Sequence, residues 1–229
     1  MKILTIIPAR KNSKRLPGKN VKELCGKPLI NYTLELANQF TFNTKVVLSS
    51  DDPQVLRFGR NFDNITPLER PSYLAEDNSL AIEYVQHALL SCKNESFDAV
   101  LILQATSPFT IMKDVQDCLE LFESKRPDSV VSVAQVAFEF HPSKFKRLTE
   151  GGGLKPYFEE EKAMEYQNLP KAYTRNGSIY LTSIDCINMG RVIGDNCLGY
   201  EMPTIRSVDI NDMFDFAFAE FLGKKYHGL

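Results

Sequence analysis

Histidine is scarce in this chain and cysteine is scattered. There are three histidines and five cysteines in 229 residues, with Cys25, Cys92, Cys118, Cys186 and Cys197 odd in number and nowhere spaced as Cys-x-x-Cys. Neither a disulfide framework nor a zinc site is indicated by such spacing. Long apolar runs are missing too. The opening "MKILTIIPAR" offers an apolar stretch shorter than the core of a signal peptide before it meets Pro8. No later run approaches the roughly 18–20 apolar residues of a membrane span, so a cytoplasmic protein with no membrane partner is expected. Nor is there a surplus of positive charge: 27 Lys and Arg against 29 Asp and Glu give a net charge of -2, which argues against a general nucleic-acid binder. Gly-x-x-x-x-Gly-Lys-Ser/Thr and Gly-x-Gly-x-x-Gly are both absent. An ATPase of the P-loop kind and a dinucleotide-dependent dehydrogenase therefore lose ground.

What is present is an alternation of short strands and amphipathic helices. "KILTII", "KVVLSS" and "DAVLILQ" read as continuous Val/Ile/Leu runs, with "PLINYTLELANQF", "PQVLRFGRNF", "SLAIEYVQHALL" and "MKDVQDCLELFES" between and after them. Continuous apolar strands are buried on both faces, and helical crossovers cover those faces. An open, largely parallel α/β sheet follows. With no internal repeat or linker, one domain over residues 1–229 is expected. Further along, "SVVSVAQ" and "GSIYLT" read as strands, and "IRSVDI" (205–210) reads as one that feeds a last helix, "DMFDFAFAEFLGKK". On that helix Phe214, Phe218 and Phe221 share a face, and core packing is the expected reason. Residues 137–169 show no clean period and are too long for an ordinary loop, which makes them a lid or oligomerisation arm.

Charge is concentrated in one place. "IPARKNSKRLPGKN", Ile7–Asn20, holds Arg10, Lys11, Lys14, Arg15 and Lys19 with no carboxylate. It is either a solvated surface loop or a holder of a polyanion, since Arg grips phosphate through a two-point fork and Lys acts as a point charge. In open α/β sheets ligands bind beyond the carboxyl ends of the strands. That rule gathers the loop with "SSDD" (49–52), "LQATSP" (103–108) and the region around "RSVDIND" (206–212). Asp51 and Asp52 precede Pro53 and read first as a helix start.

The run "IIPARKNSKRLPGKN" followed by "CGKPLINYTLELA" resembles the opening signature of the N-acylneuraminate cytidylyltransferases, which make CMP-activated nonulosonic sugars. "RPSYLAEDNS" (70–79), "LQATSP", "RNGSIYLT" (175–182) and "SVDIND" (207–212) continue the similarity over nearly the whole chain. The resemblance implies a Rossmann-like three-layer sandwich, acting as a homodimer, that joins CTP to the anomeric hydroxyl of a nine-carbon keto-acid sugar with Mg²⁺ and releases pyrophosphate. By the same resemblance Arg10, Lys19 and Asp209 are catalytic. Ala9, Arg10, Asn12, Ser13, Lys19, Asn20, Arg70 and Ser79 would bind the nucleotide. Gln104, Thr106, Ser107, Lys144, Tyr166, Arg175 and Asn176 would contact the sugar, and Asp209 with Asp212 would hold the metal.

Departures from the family pattern bear on the substrate. Lys11-Asn12 stand where small residues are common, and Asp209-Ile210-Asn211 replaces a common Asp-Ile-Asp, leaving Asp212 to compensate or one carboxylate to suffice. Asp209, Asp212 and Asp215 also suit the start of the last helix, where acids are favoured. Tyr166 matches a position held by a sugar-binding arginine in sialic-acid enzymes, and the resemblance leans to the legionaminate branch. The rival readings are a 3-deoxy-manno-octulosonate cytidylyltransferase and a nucleotide-sensing protein without catalysis.

Overall fold

The computed structural model describes residues 1–158, 169–226 and 228. Its centre is a seven-stranded sheet. In chain order the strands are β1 (Ile3–Pro8), β4 (Thr44–Ser50), β5 (Ile65–Glu69), β6 (Ala99–Leu103), β7 (Ser129–Gln135), β10 (Tyr173–Ser183) and β11 (Cys197–Glu201), arranged β11-β7-β10-β6-β1-β4-β5. All the neighbouring pairs are parallel except those of β10, which runs antiparallel to both β6 and β7. Two small hairpins stand outside the sheet. β2 (Glu23–Leu24) pairs with β3 (Lys27–Pro28), and β8 (Lys146–Leu148) pairs with β9 (Leu154–Pro156).

Period-two alternation sends successive strand residues to opposite faces, and both faces are covered. Ile3, Ile7, Val46, Leu48, Leu101 and Leu103 pack against α1 (Leu29–Asn38), α2 (Pro53–Gly59) and α4 (Met112–Lys125) through Leu34, Val55 and Cys118. Leu4, Ile6, Val47, Val100 and Ile102 meet α3 (Ala81–Ser91) and α5 (Ile184–Asn188) through Val85, Ala88 and Ile187. Each fully buried Leu or Ile contributes about 1.5–3 kcal/mol, so this double-sided burial is what holds the layers together. The result is the expected three-layer, mostly parallel α/β sandwich.

A third apolar cluster supports the loops at the carboxyl ends of the strands. Leu16, Leu24, Leu29, Phe109, Val208 and Ile210 pack on Phe216, Ala219 and Leu222 of α6 (Met213–Tyr226). The face of α6 that turns inward is therefore not the expected one. Phe214, Phe218 and Phe221 are exposed, at 80%, 48% and 56%.

Two further expectations change. "IRSVDI" forms no strand: Thr204–Arg206 is a 3-10 turn and residues 207–211 run on without sheet pairing, held instead by Ile210 N–H donating to the Thr106 carbonyl (2.9 Å). The last strand on that edge is β11, whose half-exposed "CLGYE" carries little apolar signal. The irregular arm also has some structure among its described residues, namely 3-10 turns at Phe138–Phe140 and Pro142–Lys144 and the β8–β9 hairpin.

Candidate active site

The cation-rich loop leaves the end of β1 and is tied down before it can wander. Ala9 N–H donates to the Ser49 carbonyl (3.0 Å), Lys11 N–H to Asp51 Oδ1 (2.7 Å), and Asn20 Nδ2 to the Arg10 carbonyl (2.9 Å). Of the two acids before Pro53, Asp52 caps α2 by accepting from Gln54 N–H, whereas Asp51 holds the loop. Gly18, at φ 68°, then turns the chain into the 3-10 turn Lys19–Val21.

The loop forms one wall of a cavity of about 560 Å³, lined on this side by Ala9, Arg10, Ser13, Lys14, Arg15, Lys19 and Asn20. Asn12 faces an adjoining cavity instead, together with Arg10 and Lys14. Arg10 donates to Asp77 Oδ1 (2.9 Å), and Lys14 pairs with the other oxygen of the same carboxylate. Those two cations hold the Asp77 carboxyl below its ordinary value, Lys14 most of all.

The opposite wall comes from the loops after β5 and β6. Arg70 is nearly fully buried, donating to Ser49 Oγ (3.0 Å) and the Ser49 carbonyl (2.8 Å) while its guanidinium lies 4.7 Å from the centre of the Tyr84 ring. Burial lowers its pKa, yet arginine stays charged, so a fixed cation backs the cavity. Ser79 donates to the Tyr73 carbonyl (2.9 Å) and, with Gln104 and Thr106, completes the lining.

Asp209, on the unpaired stretch 207–211, sits against two residues of this lining, Thr106 and Asn211. Thr106 Oγ1 donates to Asp209 Oδ1 (2.5 Å) and Asn211 Nδ2 donates to Asp209 Oδ2 (2.9 Å). Two cations of the loop bind the same stretch: Lys19 Nζ donates to the Ile210 carbonyl (2.7 Å) and Arg15 Nη2 to Asn211 Oδ1 (2.8 Å). Burial lowers the pKa of Lys19, with Asp209 opposing the shift and Arg15 and Arg10 adding to it. The β10 strand makes room. Its register shifts between Arg175 and Tyr180, and Gly177, at φ +78°, lies so close that a Cβ would be 3.3 Å from the Asp209 carboxyl group.

A sequence profile described as cytidylyltransferase matches residues 4–186. The chain belongs to the cytidylyltransferase family. Along 97% of its length it is 34% identical to a CMP-N,N'-diacetyllegionaminic acid synthase of Legionella pneumophila, covering 96% of that protein. It is 31% identical, over 99% of its length and 98% of the relative's, to a pseudaminic acid cytidylyltransferase of Campylobacter jejuni. An N-acylneuraminate cytidylyltransferase of Escherichia coli is 30% identical over 98% of this chain, which spans 52% of that longer protein. In three dimensions it superposes on CMP:2-keto-3-deoxy-manno-octonic acid synthetase complexed with CTP with a TM-score of 0.73 at 17% identity, covering 98% of this chain and 99% of the other. That likeness is one of fold. As family members, the chain and its relatives are nucleotidyltransferases.

Asp212, Asn176, Ser107, Arg175 and Lys144, also expected at the site, are not part of this cavity's lining. Asp212 Oδ1 accepts from Phe214 N–H (2.9 Å) and Asp215 N–H (3.0 Å), so it caps α6, and Asp215 Oδ2 accepts from Asn211 N–H (2.8 Å) in return. The expected second metal carboxylate is thus engaged at a helix N-terminus, the role that had been the rival reading for Asp209. Asn176 is buried, donating to Ser207 Oγ (2.9 Å) and accepting from Ser132 Oγ (2.6 Å); it braces β10, β7 and the 207–211 stretch. Ser107 is buried in the loop after β6. Arg175 stands exposed on β10 at the register shift, near enough to Tyr180 to act on its pKa. Lys144 sits 3.3 Å from the centre of the Phe138 ring in the arm, and Tyr166 lies outside the described residues.

Sequence reasoning passed over Asp77 and gave Arg15 no partner. Both lie in stretches that had been singled out, but their ion pair and hydrogen bond span 67 and 196 residues. The residues that remain fit a Mg²⁺ ion: the Asp209 carboxylate, held by two neutral donors and by no helix cap, stands near the loop cations that would face phosphate. This hard ion is satisfied by one or two carboxylates, phosphate oxygens and waters. Among the described residues no cluster of three or more His, Cys, Asp or Glu is placed to hold a metal ion.

Proposed function

We propose that this chain transfers CMP from CTP to the anomeric hydroxyl of a nine-carbon nonulosonic acid of the legionaminic kind and releases pyrophosphate. The observation that carries this reading is the convergence of Arg10 and Lys19, from the loop after β1, and Arg70, from the end of β5, on one cavity beside Asp209. Phosphoryl-type transfer asks a protein mainly for placement and for neutralisation of charge on phosphate oxygens. Arg10, Lys14, Arg15 and Lys19 supply that charge, and Asp77 holds two of them until phosphate oxygens replace it. Arg70, Ser79 and the loop around them would receive the nucleoside. The sugar hydroxyl attacks the α-phosphorus in line as the bond to pyrophosphate breaks, with Gln104 and Thr106 beside the acceptor. Asp209 would hold a Mg²⁺ ion, and the chemistry supplied by such an ion when bound would be Lewis-acid polarisation of the reacting oxygens.

The sugar class rests on the relatives' names and on the legionaminate-like run of residues. The arm at 137–169 carries exposed Phe140, Leu148, Leu154, Tyr157 and Phe158, which favours a homodimer in which the arm of one protomer completes its neighbour's sugar site, with Lys144 at hand for the sugar carboxylate. Among the described residues no helix is long and apolar enough to cross a membrane. A cytoplasmic site of action suits an enzyme that draws on CTP.

Pyrophosphate release from CTP and Mg²⁺, measured over a panel of legionaminic, pseudaminic, N-acetylneuraminic and 3-deoxy-manno-octulosonic acids, tests the reading. Release with a nine-carbon acid is expected. Turnover with the eight-carbon acid alone points to the rival sugar, and tight CTP binding with no turnover on any acid points to a sensor.

A further inference from the structure

One side chain joins the phosphate-gripping loop to the acidic stretch, and its two ends differ in polarity. Asn211 accepts from Arg15 Nη2 through Oδ1 (2.8 Å) and donates through Nδ2 to Asp209 Oδ2 (2.9 Å) and to the Asp209 carbonyl (3.2 Å). This orientation is forced. Arginine has only donors to offer and a carboxylate has only acceptors, so no flipped amide satisfies both neighbours. Asn211 N–H, meanwhile, is fixed by Asp215 Oδ2 (2.8 Å).

We propose that Asn211 is a positioning residue that holds the Asp209 carboxylate ready without a metal, and that it thereby makes divalent-cation binding wait for the triphosphate. With Thr106 on one oxygen and Asn211 on the other, the carboxylate is fixed by two neutral donors. Cations outnumber acids around it: Lys19 beside it feels Arg15 and Arg10, with Asp215 as the one further acid. Of the other acids near the crevice, Asp77 is already paired with Arg10 and Lys14, so a free divalent ion meets Asp209, Glu76 and Asp215 against the five cations Arg10, Lys14, Arg15, Lys19 and Arg70, and the phosphates bring the missing charge and oxygens. A carboxylate at 211 would behave differently. One oxygen could still serve Arg15, but the other would fall where Nδ2 now lies, within hydrogen-bond distance of Asp209 Oδ2 and repelling it until a cation bridges the two. The inference rests on the nucleotide-site reading of this crevice.

The test uses the full chain with no nucleotide and no sugar. Binding of Mn²⁺, followed by the loss of the free-ion paramagnetic signal, is expected to be at least about tenfold tighter in Asn211→Asp than in the wild type. Thermal melting should show the variant below the wild type in EDTA and restored by MgCl₂, while the wild type is indifferent to the ion. Equal Mn²⁺ affinities, or a variant whose melting ignores Mg²⁺, overturn the proposal. Should Asn211→Asp not fold, the wild type still decides: a Kd for Mn²⁺ below about 0.1 mM without nucleotide refutes it and a weaker one upholds it. Because neither substrate is present, the outcome is separate from pyrophosphate release, which judges the functional reading on its own.

Discussion

A matched pair of glycines separates backbone strain from damage to the site. Gly177, at φ +78°, and Gly26, at φ +85°, both adopt the left-handed conformation, which costs an L-residue about 1–2 kcal/mol. At this chain length such a loss lowers Tm by about 2–8 °C. Gly26→Ala, in the two-residue turn between β2 and β3, meets nothing within 4 Å and should show that loss alone. In Gly177→Ala the new methyl sits 3.3 Å from the Asp209 carboxyl group, which must retreat by a few tenths of an ångström. It has nowhere to go freely, since Thr106 and Asn211 grip its two oxygens. A misplacement of about 1 Å at a reacting centre costs ~10²-fold, so a shift of this size should lower kcat/KM by about tenfold. Melting curves and a pyrophosphate-coupled assay on both variants read the two effects. The reasoning fails if Gly177→Ala keeps full turnover while losing as much stability as Gly26→Ala. It fails equally if both variants lose turnover together.

Arg206→Ala strips the guanidinium from Asp114, which is fully buried and otherwise held by Tyr200 and its own helix start; leaving that charge uncompensated should cost about 3 kcal/mol, seen as a Tm drop of roughly 6–12 °C. Replacing both Leu148 and Leu154, exposed partners across the β8–β9 hairpin, with Glu should convert a dimer to a monomer by light scattering without lowering protomer stability; an unchanged dimer excludes the hairpin from the interface. Lys19, whose pKa burial lowers, releases its proton in the folded chain before the unfolded one does. Its contribution to stability therefore rises with pH between the lowered value and the ordinary 10.5, while its grip on phosphate weakens over the same interval. The basic limb of kcat/KM for CTP should accordingly fall below pH 10.5 and move upward in Lys19→Arg; a limb that ignores the substitution removes Lys19 from triphosphate binding.

How much of this was legible in the sequence depends on how many surfaces constrain each segment. β1, β4 and β6 lie inside the sheet with both faces covered, so their residues had to be continuously apolar and the strands could be read at once. β11, at the sheet edge and half exposed, carries no such demand and passed unseen, whereas "IRSVDI" alternates like a strand but feeds its apolar residues Val208 and Ile210 to the cluster under α6. On α6 one face offers Phe214, Phe218 and Phe221 and another Phe216, Ala219 and Leu222, and periodicity cannot choose between two apolar faces. Packing on Leu16 and Leu24 chose Phe216, Ala219 and Leu222. The same logic divides the site. Arg10 and Lys19 stood out because five cations gather in one short loop without a carboxylate, and the resemblance then chose a polyanion over a solvated surface. Asp77 did not, and Asn211 stood out as a departure from Asp-Ile-Asp but without its partner, since each acquires its partner only when the fold brings the loops after β1 and β5 and the 207–211 stretch together. A polar residue whose role is to orient another polar residue leaves no periodic trace. It becomes visible when the donor and acceptor inventory of its neighbours leaves it a single possible orientation, as Arg15 and Asp209 do for Asn211.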